Sequence, residues 1–279
     1  MTDKLSRIIE IMGIVNLTDD SFYENSRLLG KDGTFEEGMF LSKVDSMVTE
    51  GADIIDLGAC STRPGSESVP EEVEWGRLEP ALRLLASRRA GLRLSIDTFR
   101  PGIVSRAFDV IGAFIVNDVS GGCENMWTIV GELGLEYVAM HTRGTPRQMQ
   151  ELTDYDNVVS ELVAYFQRIS ETAAAYGVEN WILDPGFGFA KTIEQNWSLL
   201  RELGTFERFG RPILAGLSRK SFLYKPLGIM PSEALPATCA ANLLALQGGA
   251  SILRVHDVAP ARQTIEVYLE SILSSPASV

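Results

Sequence analysis

The sequence predicts a single (β/α)8 barrel, and three observations point there. Short apolar runs rich in branched side chains alternate with longer stretches of helical spacing, the pattern of an α/β fold with parallel strands. The 279 residues suit one such barrel, which takes about 250. Polar residues gather just after the apolar runs, where a barrel would bring them to one mouth. An open doubly wound sheet is the competing arrangement, and a count of about eight strand–helix units favours closure. No tandem repeat, low-complexity tract or linker marks a second domain, so residues 1–279 read as one unit with a core of about 8–275.

The apolar runs are 11–15, 54–57, 92–96, 114–116, 137–140, 181–183, 213–215 and 252–255. None shows in/out alternation, as expected of strands covered on both faces. After the second run a helix opens near Pro70 with Glu71 and Glu72 in its first turn. It closes near Arg88, Arg89 and Gly91, so acid and base sit where the helix dipole favours them. After the fifth, Val158, Val159, Leu162, Val163, Phe166 and Ile169 recur at helical spacing and form one apolar stripe. A helix start is expected at 221–224, and a further helix opens around Pro236 and stops at Gly248 and Gly249.

Composition narrows the function. Hydrophobic residues at 45% and charged residues at 22% are ordinary for a soluble globular chain. A net charge of −12 argues against a nucleic-acid backbone as main partner, which wants a basic face. It leaves room for a small anion held by a few focused cations. Cys60, Cys123 and Cys239 are far apart, and His141 and His256 cannot complete a zinc site with them. Sparse, odd cysteines suit a reducing compartment. The polar start and the short apolar stretch after it fall short of a signal peptide or membrane span, so a cytoplasmic location is expected.

Asn16 follows the first run, Asp97 the third, Asn117 and Asp118 the fourth, His141 the fifth and Asp184 the sixth. Ser218, Arg219 and Lys220 follow the seventh, and Arg254 and His256 close the eighth. A single such residue is most simply a cap or turn residue. Acids, amides and bases at nearly every strand end exceed what capping needs. Arg254 and His256, two apart, project to one side if extended, although a surface ion pair and a loop hydrogen bond would also account for them. Met140 and Phe189 fit plain core as well as a binding wall. Residues 218–220, ahead of a helix start, could receive an anion on backbone N–H groups or form a surface turn. His141 reads as structural. No Ser–His–Asp or Cys–His arrangement is apparent, so covalent catalysis is not expected.

The stretches IMGIVNLTDDSF (11–22), GADIIDLGACSTRPGS (51–66), LSIDTFRP (94–101), IVNDVSGG (115–122), MHTRGTP (140–146), ILDPGFGFAKT (182–192), LAGLSRKSFL (214–223) and ILRVHDV (252–258) resemble the signatures of the dihydropteroate synthases. They stand in that family's order and spacing over essentially the whole chain. The resemblance implies condensation of 6-hydroxymethyl-7,8-dihydropterin diphosphate with p-aminobenzoate, giving dihydropteroate and diphosphate. It implies that Asp97, Asn117 and Asp184 read the amino-pyrimidinone edge of the pterin, a set of acceptors and donors suited to it. Lys220 would reach the ring's carbonyl side, and Met140 and Phe189 would pack on the ring. Asn16, Arg63, Arg254 and His256 would hold the diphosphate, with Asn16 at a magnesium ion. Thr62, Arg63, Pro64, Ser218 and Lys220 would meet p-aminobenzoate. A homodimer and competition by sulfonamides are implied in the same way. The expected chemistry is dissociative: cations draw off the diphosphate, and Asp97 and Asp184 steady the cationic pterin for attack by the neutral amine. Arg254, His256, Lys220, Asp97 and Asp184 are thus the expected catalytic set.

Asp19 stands where the family has proline, YENSR (23–27) replaces its glycine-rich tail, and Cys60 stands for a usual glutamate. A pterin-binding methyltransferase barrel of the methyltetrahydrofolate type and a non-catalytic pterin-binding relative are the rivals. The first has no use for SRK, RVH or STRPG, and the second none for the charged mouth.

Overall fold

The computed structural model describes residues 8–18, 35–61 and 69–273. Thr62, Arg63, Pro64, Asp19 and the YENSR segment lie outside the described residues. Eight strands form one sheet: β1 (Glu10–Asn16), β2 (Ile54–Gly58), β3 (Arg93–Asp97), β4 (Ile115–Asp118), β5 (Glu136–Met140), β6 (Trp181–Asp184), β7 (Leu214–Ala215) and β8 (Ile252–Val255). They pair in parallel in the order β6-β5-β4-β3-β2-β1-β8-β7. A bridge between Leu183 and Ile213 brings the two ends together. This is the expected barrel, nearly closed. The fourth strand starts and ends later than the apolar run suggested, because its ladder continues through Asn117 opposite Asp97 and through Asp118 opposite Ala139.

The strands do alternate, and the chemistry of both faces hid it. One inward layer is wholly apolar: Met12, Ile54, Ile115, Val138, Ile182, Leu214 and Ile252 form a buried cluster inside the ring. The outward faces are apolar too. Ile55, Leu57, Val116, Leu183 and Leu253 join the larger core beneath the helices. Each such side chain contributes about 1.5–3 kcal/mol on burial. Two residues further along four of the strands the inward position turns polar: Ile54 gives way to Asp56, Ile115 to Asn117, Ile182 to Asp184 and Ile252 to Arg254. The barrel is therefore plugged by hydrocarbon below and lined by charge at its C-terminal mouth.

Around the ring lie α1 (Glu37–Thr49), α2 (Glu71–Arg88), α3 (Pro101–Ile111), α4 (Glu124–Leu133), α5 (Val158–Ala175), α6 (Ile193–Arg201), α7 (Ser221–Tyr224), α8 (Leu235–Gln247) and α9 (Val258–Leu273). The stripe on α5 faces the core through Val158, Val159, Leu162, Phe166 and Ile169. Asn157 caps that helix by accepting from the Ser160 N–H. Thr192 and Gln195 form a capping box at the start of α6, which fixes where the β6 loop ends.

Candidate active site

Three strands meet at one guanidinium. Arg254, pointing inward from β8, donates from Nε to Asp56 Oδ2 at 2.7 Å and from Nη2 to Asp97 Oδ2 at 2.8 Å. Asp56 is fully buried and also accepts from Ser95 Oγ at 2.6 Å and from Asn117 Nδ2 at 3.3 Å. Burial works against the Arg254 charge, but Asp56 and Asp97 outweigh it and hold its pKa above the ordinary arginine value. Burial also pushes the Asp97 carboxyl up to about 7, with Arg254 pulling it back and Asp56 adding to the rise. Asp97 Oδ1 is buried and, among the described residues, has no hydrogen-bond partner.

Asp184 ends β6 and accepts from the Gly186 N–H at 2.7 Å. Burial raises its pKa, while the Gly186 N–H and Lys220 oppose the rise. The loop that follows is wound in alternating hands: Gly186 has φ 69°, Gly188 φ 81° and Ala190 φ 49°. Gly186 must lack a side chain, since a Cβ there would stand 2.0 Å from the His141 carbonyl oxygen. The loop places Phe189 so that the Lys220 ammonium sits 4.3 Å from its ring centroid. Burial and Arg254 depress Lys220 to about 8, against the pull of Asp184 and Asp97. Asn117, Met140, Asp184, Phe189, Lys220 and Arg254 line a common pocket at the mouth.

In the loops after β7 and β8, Ser218 Oγ lies 3.1 Å from His256 Nδ1 and accepts from the His256 backbone N–H at 3.3 Å. Arg219 between Ser218 and Lys220 has φ 55°. It grips Asp257 with two bonds, of 3.0 and 2.7 Å, so the loops after β7 and β8 are strapped together. Asn16 ends β1, and its Oδ1 would be 3.5 Å from a Cβ on Gly58, as would Asp97 Cβ. Gly58 thus keeps open the space between the Asn16 amide and the Asp97 carboxyl.

The mouth therefore gathers the described residues that the family resemblance assigned to substrate: Asn16, Asp97, Asn117, Met140, Asp184, Phe189, Ser218, Lys220, Arg254 and His256. Asp118 is different. The pleat turns it outward, where it accepts from Tyr137 Oη at 2.9 Å and from the Ser120 N–H at 2.7 Å. His141 is buried, and burial followed by Lys191 and Arg143 lowers its pKa to about 2, so it is neutral. Two residues escaped the sequence reading. Asp56 sits within an apolar run, and an acid there has to find a cation inside the barrel; that was the available signal. Lys191 was hidden among loop residues.

A family profile described as pterin binding enzyme matches residues 12–256. The dihydropteroate synthase of Synechocystis is 40% identical over 262 residues, covering 92% of this chain and 88% of that protein. Among solved structures, the dihydropteroate synthase of Yersinia pestis, in a sulfonamide drug complex, superposes with a TM-score of 0.87 at 33% identity, covering 97% of this chain and 96% of that one. That of Thermus thermophilus, in complex with 4-aminobenzoate, gives 0.82 at 36% identity, covering 95% and 94%.

Proposed function

The chain belongs to the pterin-binding enzymes as a member of the dihydropteroate synthases, transferases of folate biosynthesis, and from that premise we propose which of its residues do the work. The observation that carries the assignment is the unpartnered Asp97 Oδ1 in a buried setting. Buried acceptors are almost always satisfied, so a ligand presenting N–H groups is wanted at this point. Asn117, on the adjoining β4, and Asp184, on β6 beyond β5, supply an amide and a second carboxylate. Together the three fit the amino-pyrimidinone edge of 6-hydroxymethyl-7,8-dihydropterin diphosphate, with Met140 and Phe189 against the ring and Lys220 at its carbonyl side.

Departure of diphosphate requires positive charge on the leaving oxygens. Arg254 keeps its charge in the pocket and, among the described residues, donates from Nε and Nη2 to Asp56 and Asp97. Its remaining edge, with His256 and Arg63, would face the diphosphate. Asn16 offers a neutral oxygen beside the opening kept by Gly58, donor chemistry that fits a magnesium ion held mostly by phosphates. Such an ion would neutralise charge on the leaving group. As the cationic pterin develops, the anionic pair Asp97 and Asp184 stabilises it. Thr62, Arg63, Pro64, Ser218 and Lys220 then position p-aminobenzoate, whose neutral amine attacks the exocyclic methylene. No strong base is needed. The same reading includes a cytoplasmic homodimer, supported by the family resemblance and testable by sedimentation.

The test is release of diphosphate from pterin diphosphate, p-aminobenzoate and magnesium with the purified protein. Formation of dihydropteroate in equal amount is the expected result. Pterin binding without diphosphate release would instead mark a non-catalytic relative. Methyl transfer from methyltetrahydrofolate would mark the methyltransferase class.

A further inference from the structure

Lys191 is an ionisable residue with 4% exposure, one residue beyond the glycine-rich loop that follows β6, and burial lowers its pKa to about 7. Its Nζ meets four acceptors, all neutral. It donates to the Gly186 and Phe189 carbonyl oxygens, each at 2.9 Å, and more weakly to the His141 carbonyl oxygen at 3.4 Å, and lies 3.1 Å from His141 Nδ1. With His141 neutral, its Nδ1 accepts when the other ring nitrogen carries the hydrogen, so the three N–H bonds of the ammonium find three lone pairs.

The loop has no ladder to satisfy its backbone. Its N–H groups go to Asp184 Oδ1 from Gly186 and to Asn196 Oδ1 from Gly188, each at 2.7 Å. Two of its carbonyls, those of Gly186 and Phe189, turn inward on Nζ, while that of Gly188 accepts from Gln150 Nε2; residues 186, 188 and 190 all take left-handed φ values. Ala190 takes that conformation against the steric preference of a side-chain-bearing residue. The loop is thus wrapped around the lysine. The same winding aims Phe189 at Lys220 and holds the Gly186 N–H on Asp184.

We propose that Lys191 is a positioning residue for the pterin wall: its buried Nζ templates loop 185–190, and through it sets the Phe189 ring and the Asp184 carboxylate. Lys191 itself touches no substrate. The proposal rests on the reading of this mouth as the pterin site, and the test keeps the two apart.

Lys191→Met preserves most of the side-chain volume and removes every donor. The measurement is calorimetric affinity of wild type and variant for two ligands, 6-hydroxymethylpterin and magnesium diphosphate. Wild-type binding of the pterin checks the site reading, and its failure would count against that reading alone. In the variant, pterin affinity is expected to fall by about tenfold or more, because displacements well under 1 Å are costly at a rigid site. Affinity for magnesium diphosphate, held on the Asn16 and Arg254 side, should change less than about twofold on the same grounds. A folded variant with wild-type pterin affinity, or equal losses for both ligands, would overturn the proposal. Should the variant not fold, the wild type answers. With six lysines in the chain, lysine-selective nitrogen-15 labelling resolves the Lys191 ammonium, whose resonance should move on saturation with the pterin and stay put with magnesium diphosphate. No pterin-dependent movement would sink the idea.

Discussion

At the scale of single residues, the mouth is an arrangement of charges that cannot be removed one at a time without consequence. Arg254 lies between Asp56, which is fully buried, and Asp97. Removing one member of such a set leaves uncompensated buried charge, at a cost of about 3–5 kcal/mol. Arg254→Ala should therefore lower stability by that order in urea unfolding, with Asp56→Asn added to it restoring part of the loss. Additive losses in the double variant would show that the pair does not interact. Asp184→Asn keeps the fold but exchanges an acceptor for a mismatched amide, and should weaken pterin binding by about 1–3 kcal/mol in calorimetry. Unchanged affinity would remove Asp184 from the ring site. Acidity adds a third test. Asp97 must be ionised to accept from the ring and Lys220 protonated to donate to it. With Asp97 near 7 and Lys220 near 8, kcat/KM for the pterin diphosphate should rise as pH passes about 7 and fall beyond about 8. Stability runs the other way for Asp97. Its folded pKa lies above the unfolded value, so the folded state holds the proton more tightly, and this contribution is full below about 4 and lost as pH rises through about 7. Lys220→Arg should displace the alkaline limb upward, and an unmoved limb would assign it to another group. Asp97, Asn117 and Asp184 could be read from the sequence because each follows directly on an apolar run, and Arg254 because it breaks the last run two residues before His256. Asp56 could not be read so easily, since its partner Arg254 is 198 residues away and only barrel closure brings them together.

At the scale of elements, the strands supply the ring's address and the loops supply its grip. The eight apolar runs foretold the strands because both faces of a barrel strand are covered. The same coverage concealed the inward and outward alternation, so Asp118 and Asn117 looked equivalent although the pleat sends them to opposite faces. Helix α2 was legible from the acids after Pro70 and α5 from its stripe. The loops were less so, because their geometry depends on distant partners. The strap between Arg219 and Asp257 is the clearest example: it holds a left-handed, side-chain-bearing residue between Ser218 and Lys220. Lys220 keeps its anchorage on Phe189 without the strap, whereas Ser218 depends on the loop backbone. Asp257→Ala should accordingly raise KM for p-aminobenzoate severalfold, and that for the pterin diphosphate less. If both KM values stay at wild type, the Ser218–His256 contact alone suffices to hold the rim.

At the scale of the whole molecule, the ring is not equally strong all the way round. β1 and β2 run in register over five residue pairs, from Met12 opposite Ile54 to Asn16 opposite Gly58. β7 has two pairs with β8, and meets β6 through the single Leu183–Ile213 bridge and the bond from Leu183 N–H to the Pro212 carbonyl at 2.9 Å. Local opening takes the path of fewest cooperative bonds, so the β6–β7 seam is where the barrel should part first. The proposed pterin site straddles this seam, with Asp184 at the end of β6 and Lys220 in the loop after β7. A ligand that binds both sides stabilises only the closed form, and closure becomes part of its binding free energy. The Leu183 amide should therefore exchange with solvent faster than the amides of Ile14 and Ile55 in the free protein. Saturation with 6-hydroxymethylpterin should slow it, while leaving the β1–β2 amides unchanged. Native-state hydrogen exchange followed residue by residue measures both. Exchange at Leu183 as slow as at Ile55 in the free protein would mean that the covering helices, α5 and α6 above all, close the ring as firmly as a full ladder would. Loop 185–190 would then be left as the only part of the pterin site free to respond to its ligand.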